Sequence, residues 1–214
     1  MCDFSDKIKR SKLIIFDLGN VLLDVNVGKS VEAYKRLGVP DVEKILTDSC
    51  AVGGAFIALE QGTISTAEFC EQIRRASGIS LSDSDIVSAL NAMLGSFPDS
   101  KVKLVERLRK RYTVVLLSNT NAVHKECFDT MARGYKSLSD LFDRTWYSHE
   151  MHLSKPSAEI FTQVLEYHKC KPTETSFFDD SSKNVAAAQQ LGINAFLVSA
   201  EMPVERYFSF LDEE

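Results

Sequence analysis

Four short polar clusters in this chain carry side chains capable of chemistry: Asp17 with Gly19 and Asn20, Ser118 with Asn119, Lys155 ahead of Pro156, and Asp179 with Asp180. A carboxylate such as Asp17, delivered to the crevice beyond the carboxyl ends of parallel strands, is a candidate nucleophile or metal ligand. Each cluster also has a plainer explanation. Asp17 could turn the chain, Ser118 or Asn121 could cap a helix, Lys155 could be solvated, and the aspartate pair could cap the next helix. Their positions set them apart: three of the clusters end apolar runs, and the lysine opens the helix before the last of them.

Those runs are the elements that must position the polar groups. Leu13 to Phe16 reads as a buried strand ending in Asp17, and Thr113 to Leu117 as a second ending in Ser118. Ser176-Phe177-Phe178 runs into the aspartate pair, with a weaker strand at Arg144 to Ser148 and a final one at Ala195 to Val198. Helical patterns separate them, one from Ser157 to Tyr167 and one from Val185 to a stop at Gly192. This alternation predicts an α/β fold, a Rossmann-like doubly wound parallel sheet. From Val31 to about Gly95 only helical patterns occur, with a capping box at Ser65 and Glu68 and a second cap at Ser82. The expected organisation is a core of residues 1–25 and 98–214 with an inserted helical cap subdomain at 26–97. Val204, Tyr207, Phe208 and Leu211 read as an amphipathic helix on the sheet's edge, and Trp146, Tyr147 and the phenylalanines as core.

The 214 residues suffice for one large domain or a core with an insertion. With 44% hydrophobic and 26% charged residues the composition is globular, and a net charge of -5 argues against a nucleic-acid binder. Cys2, Cys50, Cys70, Cys127 and Cys170 are scattered and odd in number, as free thiols in a reducing compartment would be. With no signal-peptide pattern and no membrane-length apolar run, a cytoplasmic location is expected.

The segments FDLGNVLLD, LLSNTN, SKPSAEIF and FFDDSSKNVAAAQQLGI, in this order and spacing, resemble the haloacid dehalogenase-like phosphohydrolases. The resemblance covers most of the chain, and the helical block lies where that family commonly inserts a cap. It implies a parallel sheet with the first strand central, flanked by those bearing Ser118 and Asp179. It further implies Asp17 as nucleophile toward a small phosphorylated substrate, with Mg²⁺ held by Asp17, the Gly19 carbonyl and Asp179, and Asp180 as a further candidate ligand. Ser118, Asn119 and Lys155 would receive the phosphoryl group. That agrees with the chemistry, because a phosphoester repels a bare carboxylate until positive charge neutralises it.

The sequence departs from the family pattern at Gly19, where phosphatases of this type carry a second aspartate. That side chain would protonate the leaving oxygen and activate water, work worth roughly 10²–10⁴-fold. Asp24, His124, His149 and His152 are candidate replacements, and a leaving group of lowered pKa would lessen the need. Some family members with the Asp-Leu-Gly-Asn loop resemble sugar-1-phosphate phosphatases, which makes a phosphorylated sugar the favoured substrate. The alternatives are a metal-independent 2-haloacid dehalogenase, or a binding or regulatory protein that has lost turnover. Gly53-Gly54 and Gly62 are expected in loops facing the active site, with Phe56 and Glu60 as candidate substrate contacts.

Overall fold

The computed structural model describes residues 4–42 and 53–212, so Cys2 and Cys50 lie outside the described residues. Its centre is a five-stranded parallel sheet in the order β3-β2-β1-β4-β5, formed by β1 (Leu13–Phe16), β2 (Thr113–Ser118), β3 (Arg144–Tyr147), β4 (Thr175–Asp179) and β5 (Asn194–Leu197). All four residues of β1 are fully buried, as a central strand covered on both faces requires. Phe16 is level with Leu116 of β2 and with Phe178 of β4. One residue further along, Asp17, Leu117 and Asp179 therefore stand side by side at the carboxyl edge.

The sheet's two faces hold separate apolar clusters. Leu13, Ile15, Val115, Leu117 and Phe177 face a helix at Ala158–His168, which buries Ile160, Phe161 and Val164 behind its Ser157 cap. Ile14, Phe16, Leu116 and Phe178 point the other way, toward the helix at Asp99–Leu108 and the C-terminal segment. That segment, Val204–Asp212, differs from the expected edge-docked α-helix. It is a kinked 3-10 turn packed over the sheet's face, with Phe208 4.9 Å from the Phe178 ring and 5.9 Å from the Phe16 ring. Val204, Tyr207 and Phe210 are spaced by three, so they line one side of a 3-10 helix.

Between β1 and β2 the described chain holds the helices Val27–Arg36, Gly53–Glu60, Thr66–Ser77 and Asp83–Asn91. They gather a core of their own around Tyr34, Leu59, Phe69, Ile73, Ile86 and Leu90. The capping box at Ser65 and Glu68 and the Ser82 cap both form. Gly53 and Gly54 do not interrupt this block as loops; they form the first turn of the helix ending at Glu60. The chain leaves and re-enters the sheet layer through two adjacent strands of backbone. Asp24 N–H donates to Ser96 O, Gly95 N–H to Asp24 O and Asn26 N–H to Met93 O.

Candidate active site

Asp17, Leu117 and Asp179 form three corners of a cradle, and the Lys155 side chain fills it. Its Nζ donates to Asp17 Oδ1 at 2.6 Å, to Asp179 Oδ2 at 2.8 Å and to the Leu117 carbonyl at 2.8 Å. An ammonium has three protons, and each finds an acceptor. Lys155 is 4% exposed, which sets aside the reading of a solvated side chain. Burial disfavours its charge, but Asp17 and Asp179 outweigh that and raise its pKa. Burial also pushes the Asp17 carboxyl up to about 6; Lys155 pulls it down and Asp179 pushes it up.

Lys155 is held from behind. The Asn119 carboxamide accepts from the Lys155 backbone N–H at 2.9 Å and donates to its carbonyl at 2.8 Å, next to a cis Lys155-Pro156 peptide. The side chain expected on the phosphate is thus spent on the backbone of Lys155. The hydroxyl of Ser118, buried at the end of β2, makes among the described residues only a long 3.4 Å contact, to the Asn119 carbonyl. Asp179 receives the Ser181 N–H at 2.8 Å and the Asn184 Nδ2 at 3.0 and 3.1 Å, so it also serves the following turn. Asp180 accepts from Asn20 Nδ2 at 3.1 Å, while Asn20 sits in the left-handed region at φ 53°. Asn20 belongs to the polar cluster of Asp17, whereas Asn184, five residues after Asp179 in the first turn of the following helix, is a site residue that the motifs alone do not single out.

One carboxylate oxygen from each of Asp17, Asp179 and Asp180 lies within 4.8 Å of the other two. Three carboxylates against one ammonium leave a surplus of negative charge and hard oxygen donors, which fits a divalent cation such as Mg²⁺. Gly19 borders the same cavity, of about 430 Å³, together with Phe56, Glu60, Ser118 and Asn119. Beyond the polar floor the lining is mostly apolar, from Leu23, Val25, Val27, Leu90, Met93, Leu94 and Phe128.

The candidate replacements for the missing acid are placed elsewhere or otherwise engaged. Asp24 is exposed and accepts from Ser96 Oγ at 2.6 Å. His149 Nδ1 contacts the Thr120 carbonyl at 3.1 Å and His152 Nδ1 the Gln61 carbonyl at 2.9 Å. His124 borders the cavity, but its ring is buried between the Asn121 side chain and the Leu90 carbonyl, and burial pushes its pKa down to about 4. Asn121, not Ser118, caps the helix Ala122–Phe128.

The model of the haloacid dehalogenase-like hydrolases matches residues 11–192. The chain belongs to that family. A D-ribitol-5-phosphate phosphatase of Bacteroides thetaiotaomicron is 33% identical over 187 residues, covering 86% of this chain and 90% of that one. The sesquiterpene phosphatase astK of Aspergillus oryzae is 27% identical over 183 residues, covering 85% and 87%. The crystal structure of the HAD family enzyme bt-2542 of Bacteroides thetaiotaomicron, complexed with magnesium and inorganic phosphate, is 36% identical and superimposes with a TM-score of 0.85 over 92% of this chain and 99% of that one. Among the described residues of this haloacid dehalogenase-like chain, no helix is long and apolar enough to cross a membrane. Cys70, Cys127 and Cys170 are free thiols.

Proposed function

We propose that this chain is a Mg²⁺-dependent phosphohydrolase acting on a small phosphorylated metabolite, with Asp17 as the nucleophile. The observation that carries this reading is the convergence of Asp17, Asp179 and Asp180 around a single buried lysine. Asp17, Asp179 and Asp180, with the Gly19 carbonyl, would hold the ion. When bound, it supplies the positive charge that lets an anionic nucleophile approach an anionic ester.

The chain's own residues do the rest. Lys155 holds Asp17 by one oxygen, fixing the carboxylate plane at the strand end. Its charge also offsets the negative potential of the phosphoryl group. The Ser118 hydroxyl, with only a long contact among the described residues, would orient a phosphoryl oxygen. Attack by Asp17 gives an aspartyl phosphate, which water hydrolyses to regenerate the carboxylate. In this reading residues 26–97 act as a cap over a core of 1–25 and 98–214, with Phe56 and Glu60 reaching the leaving group.

Two substrate classes are supported by different observations. Similarity to a polyol-phosphate phosphatase favours a sugar or polyol phosphate. The apolar lining beyond Asp17, together with similarity to a terpene phosphatase, favours the phosphate of an apolar alcohol. Halide displacement is disfavoured, because three clustered carboxylates would repel a haloacid.

The test is release of phosphate from p-nitrophenyl phosphate with Mg²⁺ and with chelator, followed by a panel of polyol and prenyl phosphates. Mg²⁺-dependent release that Asp17→Asn abolishes is expected. Halide release from 2-chloropropionate without metal would instead establish the dehalogenase, and no turnover with any of these would favour a binding protein.

A further inference from the structure

Attack by Asp17 on a phosphomonoester expels an alkoxide, which needs a proton, and the following hydrolysis needs a base for water. Among the described residues, the titratable side chains bordering the cavity are Asp17, Glu60, His124, Lys155 and Asp180. Lys155 spends all three protons on Asp17, Asp179 and Leu117. Asp180 is bonded to Asn20, and both His124 nitrogens face protein groups. Glu60 remains, and its carboxyl makes no hydrogen bond or ion pair among the described residues.

Its position is fixed from the backbone. Glu60 ends the helix Gly53–Glu60, and its carbonyl accepts from the fully buried Ser148 Oγ at 2.7 Å. The next carbonyl, of Gln61, meets His152 Nδ1 at 2.9 Å. Gly62 follows at φ 65°, so close to the core that a Cβ would run into the His149 carbonyl. These three contacts clamp the end of the helix to the sheet layer, so the Glu60 carboxyl is presented to the cavity from a fixed backbone.

We propose that Glu60 is the acid-base group of the reaction, a role that rests on the phosphohydrolase reading. As the Asp17 oxygen bonds to phosphorus and the ester P–O bond breaks, the Glu60 proton goes to the departing oxygen and releases the alcohol. The carboxylate left behind takes a proton from the water whose oxygen attacks phosphorus. The bond from phosphorus to Asp17 then breaks, freeing phosphate and restoring both carboxyl groups. Burial suits Glu60 to both states, pushing its pKa up to about 7 against the pull of Lys155 and with the push of Asp17. Among the described residues the charged groups that act on it are those two, and His149 and His152 lie on the turn where its backbone docks.

The experiment compares Glu60→Gln with the unaltered chain on p-nitrophenyl phosphate, whose phenolate leaves without a proton, and on glycerol 2-phosphate, whose alkoxide does not. Glutamine is isosteric and the clamp is made by the backbone, so folding is preserved; circular dichroism checks this. Turnover of the alkyl ester should fall by about 10²–10⁴-fold. With p-nitrophenyl phosphate the first turnover should stay near the unaltered rate and then stall, giving a burst of nitrophenolate and a phosphoryl adduct on Asp17 that acid quenching and mass spectrometry detect. Equal loss of first-turnover rate on both esters, or full turnover of the alkyl ester, overturns the role of Glu60. If the unaltered chain itself cleaves neither ester with Mg²⁺, the phosphohydrolase reading fails first and this one with it.

Discussion

Asn119 grips the Lys155 peptide on both of its polar groups, accepting its N–H at 2.9 Å and donating to its carbonyl at 2.8 Å. This pair of hydrogen bonds between two loops decides where the ammonium sits. Asn119→Ala should remove about 1–3 kcal/mol of stability, two hydrogen bonds at about 0.5–1.5 kcal/mol each. It should also lower kcat by up to about 10²-fold by letting Lys155 drift from Asp17. Urea unfolding and steady-state kinetics on p-nitrophenyl phosphate measure the two effects. Asn119→Asp should be worse than Ala, because its second carboxylate oxygen would face the Lys155 carbonyl.

Lys155→Met removes the cation and leaves two buried carboxyl groups facing each other. Breaking a buried ion pair on one side costs about 3–5 kcal/mol at neutral pH. The loss should shrink as the solution is acidified and the carboxyl groups take up protons. Denaturation curves at several pH values, with chelator present, show whether the penalty follows pH in this direction.

The Glu60 carboxyl is raised from its ordinary 4.5 to about 7, chiefly by burial. Its folded state holds a proton more tightly than its unfolded state. The resulting stabilisation is complete below about pH 4.5 and disappears as pH rises through about 7. Glu60→Gln cannot titrate, so metal-free wild type should lose stability relative to the variant across that interval. A constant difference from pH 4.5 to 7 would mean that the carboxyl is not buried as described.

Phe56 borders the cavity with its ring 6.5 Å from that of His124 in an edge contact. Phe56→Ala should alter the ranking of a panel of phosphate esters far more than the hydrolysis of p-nitrophenyl phosphate. Parallel loss across the whole panel would assign Phe56 to packing alone.

Much of the site could be read from the chain because strands announce both their interior and their ends. Apolar runs stopping at Asp17, Ser118 and Asp179, β-branched in the first two and aromatic in the third, place three groups at one edge from the sequence alone. The lateral partners were not legible. Whether Asn119 touches phosphate or another loop depends on how far Lys155 lies in space, and a separation of 36 positions along the chain hides that. Glu60 could be suspected as a substrate contact, but its clamp relies on Ser148, 88 residues away. The C-terminal segment misled because spacings of three and four coexist in it, and the choice was made by the aromatic face of the sheet.

The level alignment of Asp17, Leu117 and Asp179 limits how this molecule can change over evolutionary time. A residue inserted within one of these strands would shift its corner by about 3.3 Å, more than a hydrogen bond to Lys155 can stretch. Crossover segments at the opposite rim are under no such restriction. Length variation among descendants should therefore accumulate at the amino ends of the strands, while the three strand tips keep their mutual count.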